Sequence, residues 1–296
     1  MRVHFLLVPY DSGHREWRMG RGPSHLLRHG AGSALRAMGH DVDAEFIELD
    51  SDVGPGGETP PMATEIASSF QLYAKVAARV RSLRERHTLP IVLGGNCGVT
   101  LGAVAGDTSA APSSDVGVVW LDAHGDFNTP DTSMTGFLDG MTLAALTGRG
   151  WRALTSTIPG FAAVPDASVV LAGVRDLDPA EEVLLEESEV AVVRAASVRS
   201  VGLAQALEPA LEQLRERITR LHLHVDLDVL DAAEARANHY ASRGGLTALE
   251  LAEVVRLAAG EFDVVSIAFT AYDPTYDTDG KVLQAVVGAL EVLGTN

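Results

Sequence analysis

The sequence predicts an α/β fold, a mostly parallel sheet with helices on both faces. Three observations predict it. Short apolar runs that read as buried strands alternate with longer segments of helical spacing. Two of those runs, within residues 118–130 and 220–231, close in clusters of Asp and His. Hydrophobic residues make up 46% of the 296, with no low-complexity tract, which is enough to cover a sheet on both sides.

Residues 3–8 read as the first strand. Residues 23–38 read as a helix, with Leu26, Leu27, Leu35 and Met38 among its apolar members and Gly39 as its stop. A strand is expected over 42–49 and a Gly/Pro loop over 54–61. Ile66, Phe70, Tyr73, Val76 and Val80 recur at helical spacing, so 64–86 reads as a long helix. Residues 90–93 form a strand that runs into the turn Gly94-Gly95, and 116–121 the first acidic strand. A helix begins over 141–146. Strands follow over 169–174, ending at Arg175-Asp176, and over 190–193. A helix over 202–217 precedes the second acidic strand, 221–227. Thr247, with Glu250 three residues on, reads as the capping box of a helix over 247–259. Residues 262–269 form the last strand and 281–293 the last helix. No repeat or linker divides the chain, which reads as one domain over 1–296. In sheets of this kind ligands sit beyond the carboxyl ends of the strands, where the polar motifs fall.

Composition excludes several classes of function. A net charge of −17 argues against nucleic acid or an anionic membrane as partner, since both require a basic surface. No run approaches the roughly 18–20 apolar residues of a membrane span. The opening apolar run, residues 3–8, is too short for a secretion signal. Cys97 is the only cysteine, so there is no internal disulfide framework, which is consistent with the cytoplasm. The acidic balance fits a soluble enzyme and the attraction of cationic substrates.

Its chemistry is written in the two acidic strands. Asp122, His124 and Asp126 stand at alternate positions after one strand, so an extended chain points them the same way. His222, His224, Asp226 and Asp228 share one parity in the other. Buried carboxylates this close repel one another and lose hydration unless a cation compensates. Two carboxylate–imidazole sets suit two hard ions, manganese above all, arranged for metal-assisted hydrolysis.

These residues resemble the ureohydrolases, the family of arginase, agmatinase and formimidoylglutamase. Asp122 to Pro130, DAHGDFNTP, matches the family's DAHxDxN element, and Asp226-Leu227-Asp228 its DxD. Gly94-Gly95-Asn96-Cys97-Gly98 stands where the family carries GGDHS. Gly173 to Pro179, Gly20 to Pro23 and Gly244 to Thr247 resemble further family segments, in family order. The resemblance implies a three-layer α/β/α, arginase-like fold and assembly as a homo-oligomer, a trimer or hexamer. It implies two manganese ions bridged by Asp122 and Asp226. His124 and Asp228 would complete one ion. Asp126 would bind the other and orient the attacking hydroxide. That second ion's remaining ligand is a family histidine, here Cys97. Cys97 is then either a soft ligand that favours another metal, or a small buried residue that leaves the position weak or empty. His224 either reaches that ion or is a buried neutral histidine.

Asp139 stands where arginase-like members place a proton-shuttling histidine, and a buried carboxyl group can do the same work. Otherwise it is a turn residue before Gly140. Asn128 and Thr135 match positions for an amino acid's carboxylate, and Asp178 one for its ammonium; each is also a good capping or turn residue. Ala271 stands where the family usually clamps a guanidinium with glutamate, leaving Tyr272, Asp273 or Asp277 as substitutes from nearby. The expectation is a hydrolase that cleaves a linear amidine or guanidine C–N bond by metal-bound hydroxide. The hydroxyarginine amidinohydrolase of D-cycloserine biosynthesis is similar in carrying cysteine for the GGDHS histidine, which suggests an Nω-modified arginine. A metal-dependent deacylase of N-acyl amines and a non-catalytic metabolite- or partner-binding relative are the alternatives.

Overall fold

Eight strands, most of them largely buried and the edge strand β4 mostly exposed, pair side by side into one parallel sheet in the order β4-β1-β5-β10-β9-β6-β7-β8. The computed structural model describes residues 1–50, 62–110 and 115–295, so the Gly/Pro loop expected over 54–61 lies outside the described residues. The strands are β1 (Arg2–Val8), β4 (Asp41–Phe46), β5 (Leu89–Gly94), β6 (Val116–Leu121), β7 (Val169–Val174), β8 (Ala191–Arg194), β9 (Arg220–Asp226) and β10 (Asp263–Thr270). A small antiparallel hairpin, β2 (Tyr10–Asp11) and β3 (His14–Arg15), follows β1.

Period-two alternation decides which side each residue faces. Along β1, Val3, Phe5 and Leu7 enter one core while Leu6 and Val8 enter the other. The first core is closed by α1 (Gly22–Leu26), α2 (Gly32–Ala37), α8 (Ala195–Val201), α9 (Leu203–Arg215), α10 (Ala248–Glu261) and α11 (Lys281–Gly294). The second is closed by α3 (Met62–Arg84), α4 (Val99–Ser109), α5 (Thr142–Leu146) and α7 (Pro179–Glu186), with the short α6 (Arg152–Thr155) beside them. The three-layer α/β/α expectation is met. On β9 the leucines and valine, Leu221, Leu223 and Val225, fill the first core. The alternate residues, His222, His224 and Asp226, are equally buried on the α4 side.

Three local departures have plain causes. The helix expected over 23–38 is interrupted by a π-turn, Leu27–Ala31, where Gly30 takes φ 148, a backbone that side chains rarely adopt. Helix α4 is not visible in the sequence because it is buried on every side from Val99 to Thr108, so it carries no one-sided period. It lies tight on α3: a methyl at Gly98, Gly102 or Gly106 would overlap Tyr73 or Val80. Helix α7 also escapes the sequence reading, at only eight residues. The Thr247/Glu250 capping box forms as expected, with Glu250 N donating to Thr247 Oγ1 at 3.2 Å and Thr247 N to Glu250 Oε2 at 2.8 Å.

The order of strands places the site. The chain crosses from β5 to β6 over two positions that β9 and β10 fill later. The carboxyl ends of these four strands therefore meet where the winding reverses, the usual place for a ligand crevice.

Candidate metal centre

Loops from those four strands supply one acidic cluster. Asp122, His124 and Asp126 leave β6, Asp226 and Asp228 close β9, Cys97 follows β5, and Ala271 follows β10. Asp122, Asp126, Asp226, Asp228 and Cys97 are all buried. The backbone assists at two points, since both Asp126 (φ 48) and Ala271 (φ 61) are non-glycine residues in the left-handed region. Such strain persists only where surroundings impose it, commonly at a working site.

Two groups of ligand atoms, each within 4.8 Å of one another, share Asp122. One is Asp122, His124 and Asp228; the other is Cys97, Asp122 and His224. In the first, His124 Nδ1 lies 3.3 Å from Asp122 Oδ1 and 3.4 Å from Asp228 Oδ2. Trp120 Nε1 donates to Asp122 Oδ2 at 3.0 Å, and Asp228 N to Asp226 Oδ1 at 2.8 Å. In the second, Cys97 Sγ donates to Asp226 Oδ2 at 3.0 Å and lies 3.3 Å from Thr270 Oγ1. His224 is bonded to threonine hydroxyls, Thr100 Oγ1 at 2.7 Å from Nδ1 and Thr270 Oγ1 at 3.5 Å from Nε2.

The charges do not balance. Burial, then the repulsion of neighbouring carboxylates, pushes Asp122, Asp126 and Asp226 up from the ordinary carboxylate range. Burial opposes ionisation of Asp228 too, but His124 beside it prevails and holds it below that range. The Cys97 thiol is driven well above its usual value by burial and then by Asp226. Buried Asp126 Oδ2 has no hydrogen-bond partner. Four buried carboxylates facing two imidazoles, His124 and His224, and a thiol are what divalent cations would relieve, so the donor set fits a two-ion site.

The cluster forms the floor of a pocket of about 250 Å³. Asn128, Thr135, Asp139 and Asp178, each singled out from the sequence, line it. Asn128 Nδ2 donates to Asp178 Oδ2 at 3.0 Å, so these two already hold each other. Thr135 is exposed at the rim, where its Oγ1 accepts from Phe137 N at 3.2 Å. Asp139 is buried; Asn96 Nδ2 donates to its Oδ2 at 2.6 Å and Gly98 N to its Oδ1 at 3.2 Å. Burial lifts its carboxyl to about 7 against those bonds. No lysine or arginine is among the described residues that line the pocket.

None of the three substitutes for the family's clamping glutamate faces this space. Asp273 Oδ1 accepts from Thr275 N and Oγ1, and Tyr272 Oη donates to Asp277 Oδ2. Asp277 in turn accepts from Val282 N and Leu283 N at the start of α11. Ala271 itself lines the pocket wall, with a methyl where the family carries the clamping carboxylate. Asn238 fixes that wall by donating to Ala271 O at 2.7 Å. Tyr240 stacks on Phe137 at 5.6 Å, and both line the pocket.

Two working residues went unread in the sequence. Glu181 lines the pocket, accepts from Phe127 N at 2.8 Å and Asp178 N at 3.3 Å, and is lifted by burial to about 7. Its spacing of three from Asp178, before a helix, was the available signal. Arg175 donates to six backbone carbonyls: Gly173, Asp228, Val229, Leu230, Ser242 and Arg243. It therefore ties β7 to the Asp228 turn and to the loop that carries Tyr240. No local spacing announces such a partner set.

A family model described as the arginase family matches residues 1–293. Arginase from Bacillus caldovelox is 30% identical over 290 residues, covering 97% of this chain and 96% of that protein. The crystal structure of arginase from Bacillus subtilis superposes with a TM-score of 0.88 at 26% identity, over 100% of this chain and 99% of that one. Formimidoylglutamase from Bacillus subtilis shares the fold at a TM-score of 0.72 and 19% identity, over 100% and 87%.

Proposed function

The chain belongs to the arginase family, and we propose that it hydrolyses the linear C–N bond of a modified guanidine, an Nω-substituted arginine such as hydroxyarginine. The observation that carries this reading is the acidic pocket that ends at Ala271. An unsubstituted guanidinium at that wall would lack the charged, bidentate partner that makes such recognition strong. A hydroxylated guanidine is less basic and needs that partner less.

Residues are assigned by position. Asp122, His124 and Asp228 would hold one divalent cation, an oxygen and nitrogen set suited to manganese. Asp226, Asp126 and Cys97 would serve the second. The chemistry such ions supply when bound is acidification of water and neutralisation of charge as the guanidine carbon becomes tetrahedral. Asp126, with its unpartnered Oδ2, accepts the hydrogen that orients the attacking water. Water oxygen bonds to the guanidine carbon, and the bond from that carbon to the side-chain nitrogen breaks. Asp139, poised near neutrality, gives the departing amine its proton. Asp178 takes the α-ammonium, while Asn128 and Thr135 are neutral donors for the α-carboxylate. A cytoplasmic homo-oligomer, trimer or hexamer, built from a single domain belongs to the same reading, and light scattering checks the assembly.

The test is a panel of substrates with manganese-loaded protein: hydroxyarginine, arginine, agmatine and an acetylated polyamine. The reading expects the highest kcat/KM on hydroxyarginine. Equal or better turnover of arginine would overturn the modified-substrate reading. Release of acetate would move the enzyme to the deacylases, and no turnover with metal bound would favour a binding protein.

A further inference from the structure

The two halves of the metal centre differ in kind. Asp122, His124 and Asp228 offer oxygen and one nitrogen. Across Asp122 the neighbouring group offers sulfur from Cys97 and nitrogen from His224, all three residues fully buried. We propose that Cys97 and His224 are paired ligands of a sulfur–nitrogen–oxygen cation site that selects a zinc-like ion over manganese, making the centre chemically asymmetric. This rests on the reading of the pocket as a two-cation centre.

The surroundings of His224 support a ligand's role. A metal-bound imidazole normally hands its other ring hydrogen to a fixed acceptor, which sets tautomer and orientation. Thr100 Oγ1, 2.7 Å from Nδ1, is in place to accept it. Nε2, whose contact is the long 3.5 Å one to Thr270 Oγ1, is then the ring atom left to meet a cation. The side facing Nε2 holds Thr270 Oγ1, which also contacts Cys97 Sγ, so the two donors converge on one spot. Trp120 fixes both ends of the arrangement. Its indole stacks on the His224 ring at 3.6 Å between centroids and 19° between planes, and its Nε1 donates to Asp122 Oδ2. Asp226 Oδ2, 3.0 Å from Cys97 Sγ, is the fourth donor within reach. Thiolate and imidazole together prefer zinc, cobalt or ferrous iron, while carboxylate-rich sets accept manganese.

The test reads metal rather than turnover. Metal-free protein is titrated with cobalt(II) alone, and the thiolate-to-cobalt charge-transfer absorption is recorded. Zinc retention against excess manganese is then measured by elemental analysis. Native protein is expected to show the band and to keep one zinc per chain. Cys97→Ser abolishes the band, His224→Gln weakens it and loosens zinc by tenfold or more, and Thr100→Val loosens zinc by about 10–100-fold. Cys97→His, which restores an all-imidazole and oxygen set, takes up two manganese ions and guards against misfolding of the other variants. A cobalt-loaded native protein without the band, or a His224→Gln protein whose band and zinc affinity equal native, overturns the proposal. Because no substrate is used, failure of guanidine hydrolysis leaves this result standing, and the reverse holds.

Discussion

Strand β9 passes through two buried polar clusters, and they are built on opposite rules. At its middle, His222 Nδ1 lies 2.6 Å from Ser266 Oγ, and Ser266 donates to Asp107 Oδ2. Arg84 approaches Asp107 to 4.0 Å from α3. One carboxylate there answers an imidazole and a guanidinium. Further along the same strand, Asp226 joins Asp122, Asp126 and Asp228, with the imidazoles of His124 and His224 beside them and no lysine or arginine among the described residues that line the pocket. The first cluster carries no surplus of like charge and joins α4 to the sheet, with Asp107 Oδ1 and His222 Nε2 left without a hydrogen-bond partner. The second is balanced only by something from outside. Burial alone marks neither; the surplus of like charge marks the site.

Breaking the surplus should hurt function and spare the fold. Asp126→Asn is expected to lower kcat by roughly 10²–10⁴-fold, while the metal-free protein melts at the same or a higher temperature because one repelling carboxylate is gone. A parallel loss of metal-free stability would contradict the comparison. Breaking the balanced cluster should do the reverse. Asp107→Ala takes the acceptor from buried Ser266 beside His222 and one of the two carboxylates near half-buried Arg84, and is expected to cost about 3 kcal/mol in denaturant unfolding, with metal content per folded chain unchanged.

The acidity of the pocket sharpens the contrast further. Glu181 in the folded chain titrates near 7 instead of 4.5 because burial opposes its charge. The folded state therefore holds that proton more tightly than the unfolded state. The associated stability is fully present below pH 4.5 and is lost as pH rises through about 7, a change of about 3 kcal/mol. Glu181→Gln should flatten that part of the stability curve of metal-free protein; an unchanged curve would remove Glu181 as its source. The smallest effect concerns the inner wall. Ala271→Glu is expected to lower KM for unmodified arginine by roughly tenfold, the worth of one charge-assisted bond, measured against KM for hydroxyarginine. The backbone there already has φ 61, so the change of side chain adds no new strain of that kind.

Much of this was legible in the chain. The strand periods carried the fold class, because strand geometry converts spacing directly into direction. The spacing of Asp122, His124, Asp126, Asp226 and Asp228 after two strands pointed to side chains that the fold brings into one cluster, although most of them lie just beyond the strand ends. The Thr247 and Glu250 box was equally local. What stayed hidden depends on distant partners. Helix α4 has no period because every side of it is covered. Asp139 becomes more than a turn residue through Asn96 and Gly98, which come from the other side of the pocket. His224 gains meaning only from Thr100, Trp120 and Cys97, brought together by three separate elements. Asp273 and Asp277 looked like free carboxylates and are spent on turns and a helix start.

The close seam between α3 and α4 has a consequence for how this protein can change. With no room for a methyl at Gly98, Gly102 or Gly106, the helix that carries Thr100 and follows Cys97 cannot slide or swell. Variation in that layer is closed to selection, natural or in the laboratory. The open ground is the rim, Ser133, Thr135, Phe137 and Tyr240, where side chains face the pocket from loops. A library meant to shift substrate range belongs there, and one spread over α4 would spend its diversity on chains that do not fold.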